Sequence, residues 1–449
     1  MSKRAWLAGV LFLAAIHAVG LRHFSRPIPF MEGTEHHDAY IMVIRIEERI
    51  EQGASLFKWF VGDWPLYNGF YRPLPTLAFE LDRALFGHNL VPYLIINQLV
   101  AFLCSVLLVW LVWELFRKPL HAWACGALYA FWQVGGPEYL PIETIGWWVA
   151  AVLVFRALIE GQGKWRPWLL VALVTAYAFR ELSAEIATAD TTGMTFSYRV
   201  IGWSPGRTAT IFSLFGLLCA ASYVRFERVK HWSWMALAIL GLLGAFLSYE
   251  QCVVLAPTLL ACALVLRFQG ERPAWWFHAM AWGATLLYVG MHEHFLPRET
   301  RYREQAARGV SGGVRDLIRW LFPASTDIRR LLANVSLGAS LFLIPLPYIA
   351  LARVSANLSA WAAARRHWLP LAFGLLVSTG TYGPLAFQHF LAHYYHFSMA
   401  FRAILAVWLF QLAYDLSLSA ASPQAAPTEQ PHAPEPRSLP RPSASSPGA

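Results

Sequence analysis

The constraint that dominates this chain is a succession of apolar stretches, each about as long as a bilayer is thick and closed by charged residues, such as 91–114 ahead of Arg117 and Lys118. A hydrocarbon core of about 30 Å needs about 20 apolar residues in a helix, because only a helix satisfies its own backbone polar groups in lipid. Apolar runs recur near residues 5–21, 91–114, 120–135, 144–159, 167–179, 208–224, 233–248, 252–267, 274–291, 334–352, 366–382 and 397–416. The expected fold is therefore all-α: a polytopic membrane bundle of about twelve helices. Composition agrees, since 57% of the 449 residues are hydrophobic and only 14% are charged.

The first run, after Lys3 and Arg4, is short enough to pass for a secretory leader. We read it as a retained helix, because the loop that follows needs an anchored start. Basic residues at the span ends (Lys3, Arg4, Arg117, Lys118, Arg225, Arg228, Lys230, Arg267, Arg272, Arg365, Arg366) fall on one side by parity, and Glu35, Asp38, Glu138, Glu143 and Glu250 fall on the other. The positive-inside rule then puts both termini in the cytoplasm, of an inner or plasma membrane, and the acids outside. The Arg-rich segment 292–333 falls outside by the same count. A net charge of +9 dispersed in this way is topology signalling, not a nucleic-acid surface. Cys104, Cys125, Cys219, Cys252 and Cys262 all fall within spans without metal-ligand spacing, and read as small buried hydrophobes. Residues 1–417 form one transmembrane unit; from 418 to 449, Pro, Ser and Ala dominate, the composition of a disordered cytoplasmic tail.

Between the first two long spans lies a polar segment too large for a mere connection. It contains Glu35-His36-His37-Asp38, a charged amphipathic stretch to Glu51, then Phe70-Tyr71-Arg72-Pro73-Leu74, Asp82 and Phe86-Gly87. Asp38 suits a general base, and equally the start of a helix; Glu35 is the second candidate. Arg72 can hold a phosphate through its fork, or brace the loop by pairing with Asp82. Tyr71 lies beside it, and Leu77 to Phe86 reads as a juxtamembrane helix with Pro73 and Pro75 fixing its start. Glu138 and Glu143, between the third and fourth spans, and Glu250, at a span start, are carboxylates at the membrane mouth, where an idle charge is costly. His389, His393 and His396 would share a face if residues 388–397 are helical. Such a stripe fits phosphate or sugar contact, metal binding or aromatic-belt packing.

The order of Glu35-His36-His37-Asp38-Ala39-Tyr40, Tyr71-Arg72-Pro73-Leu74, Leu81-Asp82, Phe86-Gly87, Pro141-Ile142-Glu143 and Ser248-Tyr249-Glu250-Gln251 resembles the GT-C superfamily of membrane glycosyltransferases over roughly residues 1 to 415. The polyprenyl-phosphate-sugar-dependent mannosyltransferase and TMTC-like branch is the most similar. Where members often carry paired acids in the first loop, this chain reads His37-Asp38. The resemblance implies an outer-face site and transfer of a sugar from a polyprenyl-phosphate carrier to a hydroxyl on a protein, glycan or lipid. It implies Asp38 as base with Glu35 near it, and Arg72, Tyr71, Glu138, Glu143, Glu250, His393 and His396 on the substrate side. No nucleotide loop is present: Gly161-Gln162-Gly163 lacks the strand-to-helix setting of one. The reading requires no metal, although a divalent ion is compatible with it. A non-catalytic transporter or lipid-binding scaffold on the same helices is the alternative.

Overall fold

The computed structural model describes residues 3–21, 37–61, 64–65, 70–134, 195–295, 359–382 and 392–421. Among them are eleven α-helices and no β-sheet: α1 (Lys3–Gly20), α2 (His37–Glu51), α3 (Pro73–Phe86), α4 (Leu90–Phe116), α5 (Pro119–Val134), α6 (Arg207–Val229), α7 (Trp232–Phe246), α8 (Leu255–Phe268), α9 (Trp275–Phe295), α10 (Ser359–Tyr382) and α11 (His396–Ala421). Four stretches are long and apolar enough to cross a membrane, Leu90–Phe116, Ser204–Val229, Glu250–Phe268 and Ala392–Leu412, and α7 is a shorter apolar helix. The expected spans at 144–159, 167–179 and 334–352 lie outside the described residues.

The ends of α4 and α6 lie together and define one end of the bundle. There both helices stop by the same device. The residue after each helix is a cation in the left-handed region, Arg117 (φ 56°) and Lys230 (φ 56°), a conformation that ordinarily favours glycine. In both, the backbone N–H returns to a carbonyl four residues back, that of Trp113 at 3.0 Å and of Phe226 at 2.6 Å. The cation lies over that same aromatic ring, at 5.4 Å in each case. It also pairs with a buried carboxylate three residues back: Arg117 reaches Glu114 at 2.6 Å, and Lys230 reaches Glu227. Ring and carboxylate together offset the strained backbone. Glu114 also accepts from Arg225 at 3.1 Å, while Arg228 donates to the Glu114 carbonyl at 2.7 Å and to Gln269 at 2.6 Å. The second Glu227 oxygen accepts from the backbone N–H of Ala274 at 2.8 Å. Together these contacts tie the ends of α4, α6 and α8 to the start of α9.

Within the bundle, glycines allow backbones to touch. A Cβ on Gly241 of α7 would stand 2.7 Å from the backbone nitrogen of Cys219 in α6, and one on Gly374 of α10 would meet that of Leu405 in α11 at 2.7 Å. Close contact between small residues is how helices associate in lipid, where apolar burial gives little drive. The five cysteines are free and buried.

The opposite end carries a second, smaller core. Ala39, Met42, Val43 and Ile46, at helical spacing on α2, pack with Trp59, Trp64, Phe79, Leu90, Tyr93 and Leu94. One arginine pins this layer to the bundle. Arg207, fully buried at the start of α6, donates to Asp82 of α3, to the Asn97 side chain and to the Tyr93 carbonyl in α4, and lies 4.8 Å from the Phe79 ring. Asp82 is therefore not the brace for Arg72 that the sequence allowed.

Candidate functional site

Arg72 ends an extended segment and begins α3, and the first turn of that helix needs no side-chain cap. Of its first four backbone nitrogens, those of Pro73 and Pro75 carry no hydrogen. Leu74 donates to the Leu247 carbonyl at 3.0 Å and Thr76 to the Arg72 carbonyl at 3.2 Å, so both remaining donors are satisfied. The first of these bonds joins α3 to the end of α7, and the chain beyond α7 brings Tyr249 and Glu250 to Arg72.

The resulting pair is the central feature of this end. Arg72 Nε lies 3.2 and 3.0 Å from the two Glu250 carboxylate oxygens, and Nη2 lies 2.7 Å from Oε2, a bidentate geometry. Three aromatic rings surround the guanidinium, Phe70 at 4.0 Å, Tyr249 at 4.5 Å and Trp64 at 5.1 Å. Among the described residues Nη1 has no hydrogen-bond partner, and the side chains of Arg72 and Glu250 keep 11% and 23% of their exposure. Burial alone would lower the Arg72 pKa, but the charge and hydrogen bonds of Glu250, with Tyr249 and Tyr394 nearby, outweigh it and raise the value. The arginine stays charged, rigid and open at one nitrogen. Tyr71 beside it donates to the Phe60 carbonyl at 3.2 Å, and burial pushes its pKa up, so it serves as a neutral strut.

Asp38 is the second residue of α2 and is exposed. Its helix is held from below by the small core and from the side by Glu47, which accepts from Arg83 at 2.9 Å and from His88 at 2.7 Å. Burial would raise the Glu47 pKa; the contacts with His88 and Arg83 outweigh it and set the net direction downward. Phe70 packs against the same core, so one apolar cluster carries both Asp38's helix and part of the Arg72 cage.

His393 and His396 do not form a stripe on one helix. Ala392–Tyr395 is a 3-10 turn and His396 opens α11. His393 is buried against Trp203 and Tyr394, with ring centroids at 5.0 and 4.5 Å. His396 turns inward, to Ser213 at 2.8 Å and Gln133 at 3.0 Å, and its carbonyl accepts from Tyr129 at 2.8 Å. Its role is to anchor the start of α11. Gln251, next to Glu250, donates to the Tyr394 carbonyl at 3.0 Å and so fastens the Glu250 turn to that anchor. Glu35, Glu138, Glu143, His389 and most of the Arg-rich segment lie outside the described residues. Among the described residues no group of three His, Cys, Asp or Glu is arranged to hold a metal ion.

What the sequence reading missed is the partnership. Arg72 and Glu250 are separate candidates 178 positions apart, and nothing in either motif says that they meet. The aromatic cage has a weak local signal in Phe70 and Tyr249, each within two residues of its charged partner. Arg207 carried a stronger one: a cation opening an apolar span after Ser204-Pro205-Gly206 needs a buried partner.

The class defined by these features is an all-helical bundle with helices long and apolar enough to cross a membrane, and with a caged ion pair at one end. No protein-family model, no curated protein and no solved structure matches the chain.

Proposed function

We propose that the chain is a membrane glycosyltransferase of the GT-C type, moving a sugar from a polyprenyl-phosphate carrier to a hydroxyl on a protein, glycan or lipid. The site is the Arg72 end, at the outer face of an inner or plasma membrane, with both termini cytoplasmic. The observation that supports it most is the bidentate Arg72–Glu250 pair, whose guanidinium keeps Nη1 open beside the layer that bears exposed Asp38.

The chemistry follows from these groups. Glu250 and the rings fix the guanidinium plane, so its free Nη1 protons meet a phosphate oxygen without reorganisation. As the acceptor oxygen attacks the anomeric carbon, the bond to the carrier phosphate breaks and the phosphate leaves with the electron pair. Asp38 takes the hydroxyl proton. Bound lipid enters sideways from the bilayer, so no nucleotide-binding domain is needed.

A second reading, a transporter or lipid-binding scaffold, draws on the occupied fork: Glu250 already holds Nε and Nη2, and leaves the pair formally neutral. Transfer from a polyprenyl-phosphate-linked sugar, assayed with purified protein in vesicles, separates the two. Asp38→Asn is expected to lower turnover by about a hundredfold while donor binding survives. Normal turnover in this variant removes Asp38 as the base, and binding without transfer by the unaltered protein favours the scaffold.

A further inference from the structure

We propose that the bundle interior holds a binding site for one water molecule between His17 of α1 and Gln98 of α4, completing a hydrogen-bond chain that locks α1 to the other helices. His17 and Gln98 are each 3% exposed. Gln98 donates through its amide nitrogen to the His17 backbone carbonyl, which sets the Gln98 amide against α1 at His17. His17 Nδ1 and Gln98 Oε1 are buried and have no hydrogen-bond partner among the described residues.

The remainder of the chain is fully engaged. His17 Nε2 lies 3.2 Å from Ser105 Oγ, and Ser105 Oγ accepts from Gln133 Nε2 at 2.9 Å. Gln133 Oε1 meets His396 Nε2 at 3.0 Å, and His396 Nδ1 meets Ser213 Oγ at 2.8 Å. The series runs through α1, α4, α5, α11 and α6. Gln133 Oε1 can only accept, so the His396 proton sits on Nε2. At the other end the Ser105 hydroxyl points either to His17 Nε2 or to the Ala101 carbonyl at 3.3 Å. The first choice leaves His17 Nδ1 as an unpaired N–H, the second as an unpaired lone pair. Gln98 Oε1 is an unpaired acceptor under both.

Water fits this pair of groups in either case, because it donates to Gln98 Oε1 and either accepts from or donates to His17 Nδ1. Two polar partners meet the requirement for a buried water, and lipid around the bundle offers these groups nothing else. An apolar ligand would leave both unsatisfied. A metal ion finds only one imidazole nitrogen and one amide oxygen.

The test is water-edited solid-state NMR on the full chain in bilayers, with ¹⁵N- and ¹³C-labelled histidine and the His17 signals assigned by ring carbon and nitrogen correlations. Magnetisation should pass from water to the His17 ring at short mixing times, while the His396 ring, whose nitrogens both face protein, receives it severalfold more slowly. Gln98→Met, which keeps the side-chain length and removes the acceptor, should weaken the transfer to His17 severalfold. No transfer to His17, or transfer unchanged in Gln98→Met, would overturn the proposal.

Discussion

The two ends of the bundle use the same materials, arginines, carboxylates and aromatic rings, and assemble them to opposite effect. At the Glu114 end both buried glutamates among the described residues are paired: Glu114 by Arg117 and Arg225, Glu227 by Lys230 and the Ala274 amide. Two of the cations there, Arg117 and Lys230, end their helices in a left-handed conformation, so their ion pairs complete a piece of architecture. At the Arg72 end the pair joins two segments distant in sequence, and one guanidinium nitrogen is left over. Among the described residues the cations opposite also keep unpaired donors, but on more exposed side chains; what sets Arg72 apart is that its free donor is held rigid by both oxygens of one acid and by three aromatic rings. This contrast is why the proposed donor site is placed at Arg72 and not among the more numerous cations opposite.

Each part of the contrast can be broken by substitution. The largest expected loss of stability belongs to the pin beneath the site: Arg207→Met strands Asp82 in the interior and should cost about 3 to 5 kcal/mol, detaching α3. Protection of the α3 amides from hydrogen exchange reads this directly, and α3 as protected as in the unaltered protein would show that the small core alone docks it.

At the saturated end, Glu114→Gln keeps the shape but removes the charge that Arg117 and Arg225 share. A loss of about 2 kcal/mol is expected, with transfer activity per folded molecule unchanged. A variant of full stability but reduced turnover would reverse the roles assigned to the two ends.

The smallest effect concerns Glu47. Its pKa is depressed in the folded protein, so it binds fewer protons than in the unfolded chain, and its contribution is present above the ordinary glutamate range. That contribution is lost as the pH falls through the depressed value. Exchange protection of α2 should therefore decline on acidification, and Glu47→Gln should flatten that decline. An equal decline in both proteins would assign the acid sensitivity to other carboxylates.

How much of this was legible in the sequence depended on the range of the interaction. The helices α4, α6, α8 and α11 follow from apolar length and need no partner to be recognised. The start of α3 was equally readable, because Pro73 acts on its own backbone. The histidines show where such reasoning stops. A spacing of three residues implies one face only if the helix already runs, whereas the chain makes a 3-10 turn through His393 and begins α11 at His396. Asp82 was assigned a plausible local partner and found a stronger one in Arg207, 125 positions away. Likewise Glu114 and Glu227 lie near the ends of α4 and α6 among several cations, and the sequence does not say which cations answer which acid.

The central claim is that Arg72, held rigid in its aromatic cage, is the cation that takes the proposed donor phosphate, and that the cations opposite do not. Binding of a polyprenyl-phosphate-linked sugar to the unaltered protein, Arg72→Ala and Arg225→Ala, measured in vesicles of one composition, tests it most directly. Arg72→Ala should weaken binding by about tenfold or more, the loss of a charge-assisted contact, and Arg225→Ala should leave it unchanged. Equal affinity in all three proteins, or an equal loss in both variants, would contradict the account.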